Sequence, residues 1–279
     1  MAAITVICNQ KGGVGKSTTA EALAEGLTRK KKKTLLIDLD PQGSITLTAG
    51  ALQGAPTVYE VITKQANVSE AIRQRPGRTD IIPSSKNLAS LDLELTAAGK
   101  EYRLKETLEP VIRMYDYIII DTPPALGIIT VNALTAACNA VIPAQADIYS
   151  LQGISQLTDT VDAIKTYTNP GLTLRCILLT RYNTRSILSR DMADTAKETA
   201  AKMGTFLYKT VIREGVALKE AQASQQPIYE YSPKSNTAKD YTAFVGEYIK
   251  HTKHVINSNN FDSITNPKNS DSVINSNRV

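Results

Sequence analysis

Tryptophan is absent from this 279-residue sequence and phenylalanine occurs only three times, so aliphatic side chains must fill most of the core. Cysteine is also scarce, with three residues in the whole sequence. Cys8, Cys138 and Cys176 are far apart, and each lies in an apolar run. This spacing excludes a disulfide framework and is typical of buried thiols in a reducing compartment. The two histidines, His251 and His254, have no acidic or cysteine ligand near them in sequence, so they form no metal motif.

Strong charge of one sign and long apolar runs are lacking as well. The net charge of +5 is mild and permits a polyanionic partner without demanding one. One uncharged stretch, residues 125–146, contains Asn, Gln, Pro and several Thr residues, so we expect a helix and a short strand rather than a membrane span. No basic and apolar leader precedes the first strand, and a cytoplasmic protein is therefore predicted.

What the sequence does contain is a phosphate-binding motif at residues 9–18, Asn-Gln-Lys-Gly-Gly-Val-Gly-Lys-Ser-Thr. An apolar strand precedes the motif and a helical pattern follows it, so backbone N–H groups and the positive end of a helix dipole converge there. Lys16 supplies a charge for the β- and γ-phosphates, and the Ser17 hydroxyl is suited to Mg²⁺. The predicted nucleotide-binding residues are Lys11, Gly12, Gly13, Val14, Gly15, Lys16, Ser17 and Thr18.

Three aspartates follow apolar strands farther along the chain. Asp38 and Asp40 end the strand that begins at Thr34, and Asp121 ends the strand Tyr117–Ile120. The order strand, helix, strand predicts a right-handed crossover with parallel strands, so these carboxylates share one sheet edge with the phosphate loop. A carboxylate there can hold the hydration shell of Mg²⁺.

Alternating strands and helices over residues 1–250 predict an α/β fold, a doubly wound and mostly parallel sheet with helices on both faces. Further strands are expected near residues 80–82, 139–145, 174–180 and 206–212. Helices are expected at 17–27, 91–96, 104–112, 151–167 and 237–249, and a further helix, which follows the strand at 174–180, is expected to end at residue 203. Residues 251–279 are rich in Asn and Ser, repeat Val-Ile-Asn-Ser-Asn, and are predicted to form a disordered tail.

The strict phosphate-loop pattern requires glycine at Gln10, and the sequence has instead an extra lysine at Lys11. This Lys-Gly-Gly-Val-Gly-Lys-Ser-Thr segment resembles the deviant Walker A motif of the ParA/MinD group of P-loop ATPases. Asp-Leu-Asp-Pro-Gln-Gly at 38–43 and Ile-Asp-Thr-Pro-Pro at 120–124 are similar to that family too, and the resemblance covers about residues 3–250. It implies an ATPase that uses ATP and Mg²⁺, with Lys11, Lys16 and Asp40 catalytic. The expected metal residues are Ser17, Asp40 and Asp121, with the aspartates acting through water.

The resemblance to ParA-type partition ATPases implies a DNA segregation function. Two subunits would enclose ATP face to face, each Lys11 would reach the partner's phosphates, and the ATP-bound homodimer would bind DNA non-specifically on the nucleoid. Hydrolysis stimulated by a ParB-like centromere-binding protein would release it. Arg185 matches a DNA-contact arginine of the family, and Ala217 replaces a second one. Lys219 and Arg213 lie close to Ala217 in sequence and are candidate replacements.

Other interpretations use the same motif. A MinD-like positioning ATPase would need an amphipathic membrane helix at the C-terminus, and residues 251–279 have few cations and no apolar face. A P-loop metabolic ligase of the dethiobiotin synthetase type fits the extra lysine and the Asp-Pro-Gln-Gly turn poorly. The cation run Arg29–Lys33 is interpreted as a solvated helix end, with a direct contact to nucleic acid as the alternative.

Overall fold

Runs of β-branched and aliphatic residues form seven strands in the computed structural model, which describes residues 1–52, 54, 56–202 and 204–258. The strands at 3–7, 34–38 and 117–121 are buried along their whole length, as is typical of parallel strands covered on both faces. The strands are β1 (Ala3–Ile7), β2 (Thr34–Asp38), β3 (Asp80–Ile82), β4 (Tyr117–Asp121), β5 (Asn139–Gln145), β6 (Thr173–Thr180) and β7 (Phe206–Leu207).

Twelve helices are present in the described part of the chain, besides two short 3₁₀ segments at 86–90 and 100–102. They are α1 (Lys16–Arg29), α2 (Ser44–Thr48), α3 (Val58–Ile62), α4 (Val68–Ala71), α5 (Leu91–Glu94), α6 (Arg103–Leu108), α7 (Ile128–Ala136), α8 (Ile148–Tyr167), α9 (Ile187–Lys202), α10 (Val216–Ala223), α11 (Ile228–Tyr231) and α12 (Asn236–Ser258). The stretch 125–146 thus divides into α7 and β5, as predicted. No helix within the described ranges is both long and apolar enough to cross a membrane.

The sheet has the strand order β3-β2-β4-β1-β5-β6-β7, and all the strand pairings are parallel. The predicted α/β fold is therefore confirmed. Asp121 at the end of β4 is paired in register with Ile7 of β1 and with Asp38 of β2. The carboxyl ends of the three central strands consequently lie level, and the phosphate loop follows directly after β1.

Two apolar clusters cover the two faces of the sheet. Successive residues of β4 alternate between them: Ile118 and Ile120 pack in one cluster, and Ile119 packs in the other. The first cluster draws on α3 through α8, and the second on α1 and on α10 through α12. Alternation with a period of two is what a strand buried on both faces requires.

Tyrosines supply much of the aromatic packing that the lack of tryptophan leaves open. Tyr248 of α12 hydrogen-bonds Thr5 of β1 at 2.7 Å, and Tyr241 of α12 hydrogen-bonds Thr19 of α1 at 3.2 Å. Tyr229 of α11 donates to the Ala22 carbonyl at 2.9 Å. Each hydroxyl therefore has a partner, which offsets the cost of burying it.

Three predicted elements are shorter than expected, and one of them, the helix predicted at 91–96, ends at Glu94. The strand predicted at 206–212 ends at Leu207, because the backbone N–H groups of Lys209 and Thr210 donate to the Glu247 carboxylate of α12 instead of to a neighbouring strand. The helix predicted at 104–112 ends at Leu108, two residues before Pro110, which has no N–H to donate and disfavours helical conformation at the residue before it.

Three predicted helices extend beyond their expected bounds, and one of them, the helix predicted at 17–27, runs from Lys16 to Arg29. Helix α8 begins at Ile148, three residues early, because Asp147 caps it by accepting a hydrogen bond from the Ser150 N–H at 2.8 Å. Helix α12 continues to Ser258, past the predicted tail boundary at residue 250, and the His251 ring packs on Phe206 with 4.4 Å between centroids. Residues 259–279 lie outside the described residues.

Candidate nucleotide site

The phosphate loop joins β1 to α1 through two glycines in the left-handed region. Gly13 has φ 75° and Gly15 has φ 85°, conformations that a residue with a Cβ adopts only with strain. A Cβ built on Gly12, Gly13 or Gly15 would meet nothing within 4 Å, so the space above the loop is open. Gly15 begins α1 without a side-chain cap, which leaves the first N–H groups of that helix free for an anion.

Polar side chains of the motif itself and of the last residues of β5 and β6 fix the loop. Asn9 accepts a hydrogen bond from the Lys11 N–H at 3.0 Å and donates to the Pro143 carbonyl at 2.7 Å. Gln145 donates to the Gly13 carbonyl at 3.2 Å, and Thr180 donates to the Val14 carbonyl at 2.7 Å. These bonds hold the glycine backbone in place before any phosphate is bound.

The two lysines of the motif have different surroundings. Lys16 is buried, and its Nζ donates to the Lys11 carbonyl at 3.3 Å, so its charge lies inside the loop. Burial lowers the pKa of Lys16, and the Asp121 and Asp40 carboxylates oppose that shift. The Lys11 side chain is 29% exposed and lies outside the loop, where its Nζ forms an ion pair with Asp147 at 2.8 Å.

Asp38 organises the segment that follows β2. Its Oδ2 accepts from both the N–H and the hydroxyl of Thr46, each at 2.8 Å, and its Oδ1 accepts from the Asp40 N–H at 3.2 Å. Burial raises the pKa of Asp38 to about 6, against the effect of these hydrogen bonds. The carboxylate thereby fixes the turn that carries Asp40, whose carbonyl also accepts a bond from the Ser84 hydroxyl.

Asp121 is fully buried, and neither of its carboxylate oxygens completes a hydrogen bond with any residue that the structure describes. Burial and then the neighbouring Asp38 raise its pKa well above the ordinary value, which the Ser17 hydroxyl and Lys16 partly offset. A buried carboxylate without a donor needs a cation or water to complete it. Ser17, Asp40 and Asp121 therefore fit a hydrated Mg²⁺, whose chemistry would be to neutralise charge on the phosphates.

The predicted DNA-binding residues lie around α10 and the start of α9. Arg185 and Lys219 are exposed. Arg213 directs its guanidinium to Asp240, with Nε and Nη2 donating at 2.9 and 2.6 Å. A phosphate contact by Arg213 would therefore compete with this ion pair. Ala217, where the resemblance implied a second DNA-contact arginine, packs partly buried against the core.

One hydrogen bond connects the nucleotide motif to α10. Gln222 Nε2 donates to the Thr18 hydroxyl at 3.0 Å, and Lys219 lies one turn earlier on the same helix. Sequence reasoning missed Gln222, as it missed the loop-fixing residues Asn9, Gln145 and Thr180. Among the residues that hold this site together, only Asp147 had a local signal, since an aspartate directly before a helical pattern is typical of a helix cap.

Comparison with known proteins gives consistent matches. Residues 2–174 match the protein family described as AAA domain. The chain is 40% identical over 245 residues to the sporulation initiation inhibitor protein Soj of Bacillus subtilis, covering 86% of this chain and 96% of that relative. It is 36% identical over 251 residues to the chromosome partitioning protein ParA of Myxococcus xanthus, covering 88% of each.

A solved structure of a similar protein contains nucleotide and magnesium. Cobyrinic acid a,c-diamide synthase from Mycobacterium smegmatis, with a bound ATP analogue and magnesium, is similar to this chain with a TM-score of 0.77 and 30% identity, covering 91% and 96% of the two chains. Nucleotide and Mg²⁺ binding are thus features of the relatives of this fold, and the chain is an ATPase. Together with the deviant lysine at Lys11, these matches show that the chain belongs to the ParA/MinD-type P-loop ATPases.

Proposed function

We propose that this protein is a DNA partition ATPase, whose ATP-bound sandwich dimer binds DNA non-specifically and is released after hydrolysis. One observation carries the proposal: Lys16 lies inside the phosphate loop, whereas Lys11 lies outside it and is partly exposed. A lysine in that position can serve a second subunit without leaving its own nucleotide uncompensated. The protein would work in the cytoplasm, on the nucleoid when ATP is bound.

Electrostatics explain why ATP would drive pairing. Two nucleotide triphosphates facing each other repel, and the repulsion is strong where water is excluded. Lys11 from each subunit would place a cation between them, while ADP, which lacks the γ-phosphate, would give the lysine less to bind. The ATP dimer is therefore expected to be tighter than the ADP form.

Exposed apolar residues lie beside the candidate DNA residues and support an interface there. Ile187, Leu188 and Val216 are 68%, 62% and 68% exposed, and they begin α9 and α10, close in sequence to Arg185 and Lys219. Pairing would cover apolar surface and bring basic residues of two subunits together. A basic surface assembled in this way binds duplex phosphates through counterion release.

Hydrolysis would depend on Asp40 at the turn after β2. A half-buried carboxylate beside the phosphate loop can orient and help activate the attacking water. We expect slow turnover until a ParB-like centromere-binding protein stimulates it. In the variant Asp40→Ala the ATP dimer should persist and stay on DNA, because the binding residues are intact.

The test is fluorescence anisotropy of random-sequence duplex DNA with ATP, with ADP and without nucleotide, at low and moderate salt. Wild type should gain affinity with ATP, Asp40→Ala should retain that gain without turnover, and Lys11→Ala should lose it. Exposed Lys86→Ala is the charge-matched control and should behave as wild type.

Two outcomes would contradict the proposal. An ATP-dependent gain that survives in Lys11→Ala would remove the role of the crossing lysine. DNA affinity that is the same with ATP, with ADP and without nucleotide would remove the ATP-controlled step, and turnover of a small-molecule substrate would then favour the ligase interpretation.

A further inference from the structure

Helix α1 ends in five consecutive cations, residues 29–33, which we call the basic turn. The Lys32 N–H bonds the Leu27 carbonyl at 3.1 Å, and the Lys31 N–H bonds the Thr28 carbonyl at 2.8 Å. This pair of bonds is the Schellman ending of a helix, which needs a left-handed residue and is usually built with glycine. The sequence has a lysine there, and Lys31 takes φ 61°.

The left-handed lysine is a cost that glycine would avoid. Lys31 is not needed to stabilise the helix dipole, since Arg29 and Lys30 already provide cations at that helix end. Five adjacent cations also repel one another. The basic turn therefore keeps positive charge at a position where local stability favours a neutral glycine.

Carboxylates near the basic turn are already engaged. Glu25 pairs with Arg75, and Glu230 pairs with Arg78. Asp116 accepts the backbone N–H of Lys33 at 2.9 Å. Among the described residues, Lys30, Lys31, Lys32 and Lys33 have no side-chain ion pair, and three of these four lysines are exposed.

Two clefts flank the turn and have three lining residues in common, Thr28, Lys31 and Gly77. One has a volume of about 420 Å³ and is also lined by Lys32, Lys33 and Arg78, among others. Its one carboxylate, Asp80, accepts hydrogen bonds from the Arg75 N–H and the Tyr115 hydroxyl, each at 3.0 Å. The second, of about 410 Å³, is also lined by Arg29 and Lys30. The Arg29 guanidinium is held 5.3 Å from the centre of the Tyr229 ring, which orients it.

We propose that the basic turn and its two clefts form a second binding site for the phosphate backbone of duplex DNA, one that acts without nucleotide at low salt and does not by itself keep the protein on DNA after hydrolysis. Lysines are point charges without the planar fork of arginine, so they suit phosphates in any base sequence. Gly77 lines both clefts, and a Cβ there would meet nothing within 4 Å, so phosphate oxygens have room between the cations.

Duplex DNA fits this site better than a bilayer does. Membrane binding by a basic surface also needs an apolar face that enters the interface. Met114 is the one large apolar residue lining these clefts that is strongly exposed in the described structure. The site thus offers positive charge but lacks the apolar face that would enter a bilayer.

The position of the basic turn makes it independent of the nucleotide site. Lys33 precedes β2, whereas Asp38 ends that strand, so about 13 Å of strand separates the turn from the phosphate-loop edge, at 3.3 Å per residue. Dimerisation through the phosphate-loop edge would leave the turn on the outside. Binding at the turn is thus distinguishable from the ATP-dependent binding proposed above.

The test measures affinity for random-sequence duplex DNA without nucleotide, from 50 to 200 mM salt. With four phosphate contacts, wild-type affinity should fall about 100-fold over that range. The variant Lys30→Gln/Lys31→Gln/Lys32→Gln/Lys33→Gln should lose nucleotide-free binding and the salt slope, yet keep nucleotide binding and the increment that ATP adds. The double variant Lys197→Gln/Lys202→Gln, at two exposed lysines of α9, is the control and should bind as wild type.

A single substitution separates binding from folding. Lys31→Gly relieves the left-handed lysine, so its melting temperature should equal or exceed that of wild type while nucleotide-free DNA affinity falls several-fold. Unchanged DNA affinity in Lys31→Gly and in the quadruple variant would overturn the proposal. Wild type that binds vesicles of anionic phospholipid but no DNA without nucleotide would overturn it as well, whatever ATP does at the other site.

Discussion

The Lys11 ammonium lies 2.9 and 2.8 Å from the two carboxylate oxygens of Asp147 in its own chain, and 3.2 Å from the Ser150 hydroxyl. The ion pair is about 30% exposed on each side. A partly exposed ion pair contributes about 0.2–1 kcal/mol. Lys11 can therefore leave Asp147 for a partner's phosphates at small cost, and Asp147 sets that cost.

The variant Asp147→Asn should tighten the ATP-dependent dimer, because the amide holds Lys11 less strongly than the carboxylate does. About 0.2–1 kcal/mol corresponds to roughly 1.4- to 5-fold in the dimer dissociation constant. Sedimentation of Asp40→Ala with and without the second substitution, in excess ATP, measures it. A weaker dimer would show that Asp147 supports pairing instead of opposing it.

Removal of the buried lysine should eliminate nucleotide binding. Lys16→Ala deletes the one cation inside the loop, and a hydrogen bond to a charged group contributes about 1.5–3 kcal/mol, so affinity for a fluorescent ATP analogue should fall at least 10- to 100-fold. The exposed Lys86→Ala should bind like wild type. Normal affinity in Lys16→Ala would remove the assigned role.

A pH dependence is expected from Glu21 on α1. Burial raises its pKa from 4.5 to about 7, with the Thr48 hydroxyl donating to Oε1 at 3.1 Å. Between those values the unfolded chain loses the proton first, so the folded state loses stability as pH rises through this window. The total loss is about 1–3 kcal/mol for a group that is partly solvated.

Glu21→Gln should therefore melt at a higher temperature than wild type at pH 8 and near the wild-type temperature at pH 5. The difference at pH 8 should be several degrees for a chain of this length. The exposed Glu109→Gln is the matched control and should follow wild type at both values. Equal pH dependence in wild type and Glu21→Gln would show that Glu21 ionises without cost.

Helix α1 packs closely on α11 and α12 at Gly26, and an alanine at this position is therefore expected to destabilise the folded protein. A Cβ on Gly26 would lie 2.6 Å from Val245 Cγ2 and 2.8 Å from the Tyr229 hydroxyl, which bonds the Ala22 carbonyl. Gly26→Ala should lower the free energy of unfolding by about 1–3 kcal/mol despite the better helix propensity of alanine. Urea denaturation measures the change.

Gly246 is the matched control in that comparison. It lies within α12, and a Cβ there would meet nothing within 4 Å. Gly246→Ala should therefore be neutral or stabilise the protein by up to about 1 kcal/mol. Equal effects of the two substitutions would mean that the contact at Gly26 adjusts freely.

The sequence predicts best where chemistry and periodicity coincide. Glycines of the phosphate loop, the aspartates after β2 and β4, and the apolar runs of the central strands are local signals, and the structure brings Lys16, Asp40 and Asp121 within electrostatic reach of one another. The register between Asp38 and Asp121 follows from parallel strands that start level. Such features need no knowledge of distant packing.

Contacts between distant segments were not predictable in this way. Asp147 can be recognised as a helix cap, but nothing local says that its carboxylate also binds Lys11, 136 residues away. Strand β7 is short because Glu247 of α12 binds the backbone of the next residues, and that contact depends on tertiary packing. The ion pair of Arg213 with Asp240 belongs to the same class.

The hydrogen bond between Gln222 and Thr18 connects the nucleotide motif directly to α10. A nucleotide that shifts the Thr18 hydroxyl acts on α10 directly, through one side chain, without any rearrangement of the sheet. Gln222 is half-buried against Thr18, and the exposed Lys219 lies three residues earlier on the same helix, so a rotation of α10 that breaks the bond would also re-aim Lys219. A single hydrogen bond thus connects the nucleotide motif to the helix that carries Lys219, and this connection requires no change in the sheet.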